Sequence, residues 1–352
     1  MDLVFRLVFF GMMTLFATVS GQGQDVERLN GQSSPNSLNH SVSKTPLERP
    51  SAVALDRDRI VPLVAAHQHL LGPDSVRPPE FTKPVTADQL VQEMDGAGIQ
   101  KGVVLSIAYW YGSPLHKPVE DEYAKVRAEN DWTAQQVARY PQRLVFFCGV
   151  NPLKEYAISE LERCAKIPQM KGIKLHFANS GVDLRNPEHF AKVQKFFRAA
   201  NDHKLAIVVH IRSLREDYGR RDAEIFINDV LPVAPDVPIQ IAHLAGSGPG
   251  YGPDAAMATY AEAIMSGDNR TRNVYFDVTN CVTLKNDQSQ EELDLIAKRL
   301  LQVGLKRIFF GSDMSTDRNP PMGPWWVVFK RRLPLTNDEL NVIANNVPSY
   351  MR

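Results

Sequence analysis

The stretch Ile60-Val61-Pro62-Leu63-Val64-Ala65-Ala66-His67-Gln68-His69 joins an apolar run to a pair of histidines. The apolar run predicts a buried β-strand. Side chains at positions i and i+2 of a strand lie on the same face, so His67 and His69 direct two imidazoles toward one point. Neutral imidazole is the commonest side-chain metal ligand, so the pair predicts the start of a metal site. Such a pair also arises by chance, so the prediction of a metal site needs support from the rest of the chain.

Short apolar runs recur about every 30 to 40 residues, which is the size of a βα unit. Most are rich in Val, Ile or Phe with little polar alternation, as expected of strands that are covered on both faces. The predicted strands cover residues 60–67, 102–108, 144–150, 172–176, 205–210, 239–243, 274–278 and 307–312.

Helical patterns fill the intervals between these strands. Two of them open with capping boxes, Thr86-Ala87-Asp88-Gln89 and Thr336-Asn337-Asp338-Glu339. The other predicted helices cover residues 122–140, 155–167, 187–203, 222–233, 254–265 and 291–303. Strands and helices that alternate in this number predict an α/β fold, a (β/α)8 TIM barrel. A doubly wound open sheet is the alternative, but no Gly-x-Gly-x-x-Gly motif follows the first strand.

Polar residues fall at the carboxyl ends of the predicted strands, where a TIM barrel has its active site. These residues are His67, His69, His176, His210, His243 and Asp313. The other histidines of the chain fall in the leader, in a loop or in helices. A random scatter of histidines would not favour the strand ends in this way.

Five motifs occur in a fixed order: Ala66-His67-Gln68-His69, Gly172-Ile173-Lys174-Leu175-His176, Val209-His210, Ala242-His243-Leu244-Ala245-Gly246-Ser247-Gly248 and Phe310-Gly311-Ser312-Asp313. With them, the chain from residue 60 onward resembles the amidohydrolase superfamily. The closer resemblance is to its amidohydrolase-related branch (amidohydrolase 2). That branch includes mononuclear metal hydrolases and decarboxylases of the aminocarboxymuconate-semialdehyde type.

The resemblance implies that His67, His69, His210 and Asp313 bind one divalent metal ion, most often Zn²⁺, with Mn²⁺ as the alternative. Three imidazoles and a carboxylate suit such an ion and leave a position open for water, whose pKa the ion would lower towards about 7. The resemblance further implies that Asp313 takes the proton of this water. His243 would then polarise the carbonyl oxygen of the substrate or act as an acid. A core histidine bonded to the backbone is the alternative for His243.

Lys174 shares a strand face with His176 and is expected to point into the barrel. Binuclear members of the superfamily use a carboxylated lysine from the fourth strand, so the resemblance implies Lys174 as the bridge to a second metal. We favour a single metal, with Lys174 paired to a carboxylate lower in the barrel. His176 is then expected to line the substrate site.

Four further residues are candidate substrate contacts. Arg212 follows the fifth strand, where its guanidinium could bind a substrate carboxylate through two hydrogen bonds. Arg215 is a weaker candidate for the same role, and a surface arginine is the alternative for Arg212. Tyr109 belongs to an aromatic triplet after the second strand that would form one wall of the pocket. Asn280 lies beyond the seventh strand.

The amino-terminal segment predicts export. Residues 1–21 have the pattern of a signal peptide, in which Arg6 precedes an apolar run and small residues follow it. The apolar run is short for a membrane span, which needs about 20 residues. We therefore expect a periplasmic or secreted protein without stable membrane insertion, and an uncleaved anchor is the alternative. Residues 22–50 predict a disordered leader, and residues 51–352 the barrel.

The charge balance and cysteine content limit which partners and cross-links can be expected. Lys plus Arg and Asp plus Glu number 40 each, so no strong field indicates nucleic acid, and no nucleic-acid partner is expected. Cys148, Cys164 and Cys281 are a sparse, odd set, which predicts buried free thiols rather than a disulfide framework. The oligomeric state stays open, and a homo-oligomer is compatible with the sequence.

The leading functional hypothesis is a metal-dependent hydrolase that uses a metal-activated water. Its substrate would be a small molecule with a C–O or C–N bond, such as a lactone, ester or amide. The alternative is a metal-dependent non-oxidative decarboxylase, a lyase of the same branch, because the metal ligands are shared. A non-catalytic exported solute-binding protein is the third hypothesis. It is disfavoured because such a protein needs no metal-type residues at its strand ends.

Overall fold

The computed structural model describes residues 52–75, 84–246, 254–285, 287–313 and 322–352. The predicted signal peptide (1–21) and leader (22–50) lie outside these described residues. Among the helices that are described, none combines the length and apolar composition that a membrane span requires.

Eight parallel strands form one sheet in the order in which they occur along the chain. They are β1 Val64–Gln68, β2 Lys101–Leu105, β3 Leu144–Gly149, β4 Met170–His176, β5 Ala206–His210, β6 Ile239–Ile241, β7 Val274–Asp277 and β8 Ile308–Phe309. Two hydrogen bonds close the sheet by joining β1 to the residues after β8. They run from Ala66 N to Phe310 O (2.6 Å) and from Asp313 N to His67 O (3.1 Å). The predicted TIM barrel is confirmed.

Helices alternate with the strands. The described α-helices are α1 Ala52–Arg59, α2 Ala87–Ala97, α3 Glu122–Ala138, α4 Ala157–Cys164, α5 Phe177–Ser180, α6 Pro187–Asp202, α7 Arg220–Ile225, α8 Asp254–Met265, α9 Gln290–Val303, α10 Met322–Arg332 and α11 Asn337–Ala344. Both predicted capping boxes form, at Thr86 and Thr336. The helix predicted over residues 222–233 is divided into α7, a π-helical turn Phe226–Val230 and a 3₁₀ turn Leu231–Val233. Pro232, which has no amide proton, lies in that last turn.

Alternation along the strands divides the apolar core into two layers. The outer layer packs helices on strands, as Phe197 of α6 does. The inner layer fills the barrel and includes Val64, Phe147, Val208 and Phe309. A 3₁₀ turn, Ser349–Met351, packs into the same layer at the amino-terminal ends of the strands. The polar residues of the barrel interior lie toward the other end.

Cys148 and Cys164 form a disulfide, so the prediction that both are free thiols is wrong. Helix α4 brings its last residue back onto β3, and the two Cα atoms lie 6.4 Å apart although the cysteines are 16 positions apart in sequence. A count of cysteines carries no information about how α4 packs on β3, so this pair could not be predicted from the count. Cys281 is a buried free thiol, as predicted.

Candidate metal centre

A β-bulge in β1 places His67 inside the barrel. Val64 and Ala66 both contribute to the inner apolar layer, so a regular strand would turn the next residue outward. The pairing register with β2 shifts between Ala65 and Gln68, which inserts one extra residue. Gly311 makes room for the bulge, because a Cβ atom there would lie 2.7 Å from the Cβ of His67. The bulge is therefore what lets His67 face the strand ends of the barrel interior.

Three imidazoles are each held through Nδ1 by a buried oxygen. The contacts are His67 Nδ1 to Asp277 Oδ2 (3.0 Å), His69 Nδ1 to Leu105 O (2.7 Å) and His243 Nδ1 to Thr279 O (2.9 Å). A carbonyl or carboxylate oxygen only accepts hydrogen bonds, so Nδ1 carries the proton in all three rings. The lone pair then lies on Nε2, as a metal ligand requires.

Asp313 lies among these Nε2 atoms. Its Oδ1 is 3.4 Å from Nε2 of His67 and 3.3 Å from Nε2 of His69. Candidate ligand atoms of His67, His243 and Asp313 all lie within 4.8 Å of one another. Burial acts to raise the pKa of Asp313. The interactions with His69, His67 and His243 outweigh burial and hold this pKa well below its usual range. Asp313 is therefore an ionised carboxylate.

Lys174 reaches the site from β4. Its Nζ donates to Nε2 of His67 at 3.1 Å, while Asp313 and Asp277 act on it through their charges. Burial lowers the pKa of Lys174 to about 8 against the opposing effect of these two carboxylates. Burial, together with the charge of Lys174, also lowers the pKa of His67 to about 3, although Asp277 opposes this shift. His67 is therefore neutral at physiological pH, the form that binds metals.

His176 and His210 form the opposite side of the site. Their rings stack with centroids 3.9 Å apart, and the ring of His210 lies 5.2 Å from that of His243. Burial, with His243 as the next contribution, lowers the pKa of His210 well below its usual value. Nδ1 of His210 is buried and has no hydrogen-bond partner among the described residues. The predicted ligand set contains His69 and His210, whereas the group of candidate ligand atoms within 4.8 Å of one another contains His243 and neither of these two.

His176 is oriented as a hydrogen-bond donor. Its Nδ1 accepts from the backbone N–H of Asn179 at 3.1 Å, so in the neutral ring the proton lies on Nε2. Burial and the neighbouring His210 lower the pKa of His176 well below its usual value, which keeps the ring neutral. Tyr109 is buried and its ring lies 5.3 Å from that of His176. Tyr109 therefore supports the wall of the site behind His176.

The remaining predicted contacts differ in their surroundings. Asn280 donates from Nδ2 to Oδ2 of Asp313 at 2.9 Å and orients that carboxylate. Arg212 is half-buried just beyond β5 and has no hydrogen bond or ion pair with another described residue. Arg215 instead forms ion pairs with Asp183 (3.1 Å) and Asp217 (2.8 Å). Of these two arginines, only Arg212 has a guanidinium that is not already paired within the described part of the chain.

Asp277 is the functional residue that the sequence reasoning missed. Its carboxylate accepts hydrogen bonds from His67, from the side chain of Gln240 and from the backbone N–H of His243. Burial acts to raise the pKa of Asp277, but the interactions with His67 and His243 lower it below its usual range. A signal was present, because an aspartate in the otherwise apolar strand β7 requires buried partners.

Strained backbone concentrates at the same strand ends. Strand β6 stops at Ile241, two residues earlier than predicted, and a tight turn carries His243. The left-handed residues at the site are His243 (φ 56°), Leu244 (49°), Ala245 (61°), Asn280 (58°) and Asp313 (54°). Residues other than glycine adopt this conformation at a cost of about 1–2 kcal/mol each, and such strain clusters at functional sites.

The donor set fits a divalent cation. Neutral imidazoles and one ionised carboxylate are ligands that Zn²⁺ and Mn²⁺ accept. The buried Nδ1 of His210, which no described residue satisfies, adds an imidazole that still has capacity for a ligand. His67, His69 and Asp313 would hold the ion, and either His210 or His243 would complete the set.

Solved structures with the same fold include enzymes of two kinds. A 5-carboxyvanillate decarboxylase from Novosphingobium aromaticivorans, complexed with manganese, has a TM-score of 0.55 and 14% identity, over 81% of this chain and 94% of that chain. A dihydroxybenzoic acid decarboxylase from Polaromonas, also with bound manganese, has a TM-score of 0.54 and 15% identity, over 81% and 95%. A probable 2-pyrone-4,6-dicarboxylic acid hydrolase from Acinetobacter baumannii has a TM-score of 0.53 and 14% identity, over 80% and 95%.

At these identities the similarity shows the fold alone. No curated protein matches the chain. The Amidohydrolase family model matches residues 83–345, which is most of the chain. The match begins after β1, so it does not include His67 and His69. The closure of the barrel places these two residues beside Asp313. The chain belongs to the amidohydrolase family, an enzyme family.

Proposed function

We propose that this protein is a metal-dependent hydrolase that cleaves a C–O or C–N bond of a small molecule. The observation that carries the proposal is the arrangement of His67 and His69. Both imidazoles are held through Nδ1, and both direct Nε2 toward the ionised Asp313. A bound divalent ion would act as a Lewis acid and lower the pKa of a water molecule.

Asp313 is the proton acceptor in this proposal. Its carboxylate is ionised, and the hydrogen bond from Asn280 to Oδ2 leaves Oδ1 on the side of the imidazoles. An ionised carboxylate that is fixed in this way can take a proton from the attacking water without reorienting.

The hydrogen bonds give His243 and His176 different roles from those expected from the sequence. His243 carries its proton on Nδ1, so its Nε2 can bind an ion or accept a proton but donates only if the ring is protonated. His176 carries its proton on Nε2 while neutral. We therefore assign the polarisation of the substrate oxygen to His176, and we keep His243 as a metal ligand or proton acceptor.

Metal analysis of the purified protein tests the proposal directly. We expect one divalent ion per chain, its loss in His67→Ala, and hydrolysis of at least one member of a lactone, ester and amide panel. Two ions per chain would instead indicate the bridging role for Lys174. Protein that binds neither Zn²⁺ nor Mn²⁺, and whose activity is unchanged in His67→Ala, would refute a metal-dependent reaction.

A decarboxylase is the second candidate, and Arg212 favours it. A half-buried guanidinium without an ion pair among the described residues suits a substrate carboxylate. Turnover in ¹⁸O-labelled water separates the two reactions. Hydrolysis places the label in the product, whereas decarboxylation releases CO₂ and takes only a proton from the solvent.

We also propose that the protein is exported. The disulfide between Cys148 and Cys164 supports this proposal, because disulfides persist in oxidising compartments. Sequencing the amino terminus of protein from its native host should find a start near residue 21. An intact first residue, together with three titratable thiols in denatured protein, would contradict export.

A further inference from the structure

We propose that Tyr350, Gln240 and Asp277 form an interior relay that fixes the tautomer of His67 and the position of His243. The inference rests on the proposed function, because it gives these three residues a role in building the metal site. The relay crosses the barrel interior from the turn Ser349–Met351 to the strand ends.

The relay is a chain of short hydrogen bonds between buried or half-buried groups. The hydroxyl of Tyr350 donates to Oε1 of Gln240 at 2.7 Å. Nε2 of Gln240 donates to Oδ2 of Asp277 at 2.7 Å and to the carbonyl oxygen of Ala66 at 3.2 Å. Oδ2 of Asp277 in turn accepts from Nδ1 of His67 at 3.0 Å.

The direction of each hydrogen bond in the relay is determined by chemistry. The carboxylate of Asp277 and the carbonyl of Ala66 only accept, so the NH₂ group of Gln240 must face them. Oε1 of Gln240 then faces Tyr350, whose hydroxyl is the donor it needs. The ring of Tyr350 packs against Phe147, with ring centroids 5.0 Å apart, which holds the hydroxyl in place.

The other oxygen of Asp277 positions a second part of the site. Oδ1 accepts from the backbone N–H of His243 at 3.0 Å and from that of Thr279 at 3.3 Å. His243 lies in the left-handed turn after β6, where the backbone has little intrinsic stability. One carboxylate therefore fixes the ring nitrogen of one site histidine and the backbone of another.

Asp277→Asn is the sharpest test, because the new amide has only one workable orientation. The two backbone N–H groups cannot change their role, so the amide oxygen must face them. The amide NH₂ group then faces both His67, where it donates to Nδ1, and Gln240, whose side-chain amide must turn to accept from it. The proton of His67 moves to Nε2, so that nitrogen can neither accept from Lys174 nor bind a metal. We expect metal affinity to fall by about 10- to 100-fold, as is typical for partners of metal-binding histidines.

Tyr350→Phe removes only the far end of the relay. It leaves Oε1 of Gln240 without its donor, and we expect a loss of metal affinity of about tenfold, at the low end of the same range. Tyr275→Phe is the matched control. Tyr275 borders the same inner layer, but its hydroxyl makes no hydrogen bond with a described residue. We expect unchanged affinity in this control.

A readout that needs no metal separates this inference from the proposed function. Nitrogen-15 NMR of the imidazoles in metal-free protein reports which ring nitrogen of His67 is protonated. We expect Nδ1–H in the wild type and in Tyr275→Phe, Nε2–H in Asp277→Asn, and a mixture in Tyr350→Phe. Wild-type protein that binds no metal but shows these tautomers refutes the hydrolase and keeps the relay. Nδ1–H in every variant, or equal effects of the two tyrosine substitutions, overturns the relay.

Discussion

The two sides of the candidate site differ in how completely their imidazole rings and charged groups are satisfied. On the holding side (His67, His69, Asp277 and Asp313, from β1, β7 and the end of β8), rings and carboxylates are fixed by buried hydrogen bonds. On the open side (His176, His210 and Arg212, from β4 and β5 and beyond), a buried ring nitrogen and a guanidinium have no partner among the described residues. Unsatisfied buried groups cost free energy. We infer that the open side is where a ligand supplies the missing partners.

The largest effect is expected from the holding side. Asp313→Asn should lower kcat by about 10³-fold, because a neutral amide cannot take a proton from water. The measurement is steady-state kinetics of metal-loaded protein. Asp294→Asn on α9, where the carboxylate bonds an exposed Gln290, is the control and should retain full activity. Equal losses in the two variants would remove Asp313 from the mechanism.

Substitution on the open side should affect binding rather than turnover. Arg212→Ala should raise KM for an anionic substrate by about 10- to 100-fold, the loss expected for a charged hydrogen bond, with little change in kcat. Arg215→Ala is the matched control, because its guanidinium is occupied by Asp183 and Asp217. If Arg215→Ala raises KM and Arg212→Ala does not, the assignment of the anchor is reversed.

The buried neutral state of His67 makes the metal-free protein sensitive to acid. The pKa of His67 is about 3 in the folded state, against 6.5 for a free histidine, so the unfolded chain binds more protons between these values. The free energy of unfolding should therefore fall below pH 6.5 by about 1.4 kcal/mol per pH unit from His67 alone. His210, with its lowered pKa, acts in the same direction.

Urea denaturation of metal-free protein at several pH values measures this slope. His67→Gln should reduce the slope by one proton, while His203→Ala, at the exposed end of α6, should leave it unchanged. A free energy of unfolding that rises on acidification would show that the site histidines are charged in the folded protein.

The smallest effect concerns strain beside the holding side. Ala245 is buried with φ 61°, which glycine adopts without strain. Ala245→Gly should raise the free energy of unfolding by about 1 kcal/mol. Ala223→Gly, in the interior of α7, should lower it by about as much. Thermal denaturation of both variants measures these changes. A loss of stability in Ala245→Gly would mean that packing of the Ala245 methyl group outweighs the strain.

Periodicity and capping made most of the fold predictable. Each of the eight strands carries its own apolar run, and several of the helices between them, such as α2, α6 and α9, carry amphipathic patterns. Helix α10 gave no such signal, because Gly323, Pro324 and β-branched residues disfavour a helix. Burial of Trp325 and Trp326 against the barrel compensates for that preference. The disulfide was missed for a related reason, since it depends on how α4 packs and not on local sequence.

The candidate site was predictable as a set of strand ends but not as a network. Parallel strands bring their carboxyl ends together, so His67, His69, His210 and Asp313 could be grouped without coordinates. Whether these residues are the metal ligands stays a prediction. The tautomers and the role of Asp277 depend on contacts between distant strands, which no pattern within one strand contains.

The bulge in β1 has a consequence for how sequences of this kind are aligned. Val64 and His67 are an odd number of positions apart, yet both point into the barrel. Removal of Ala66 alone would restore the regular alternation and turn the imidazole toward the helices. An alignment that counts positions from the start of the strand would then pair the candidate ligand His67 with an outward-facing residue. A single gap of one residue in this strand therefore separates a barrel with the candidate ligand His67 inside from one in which that imidazole faces outward.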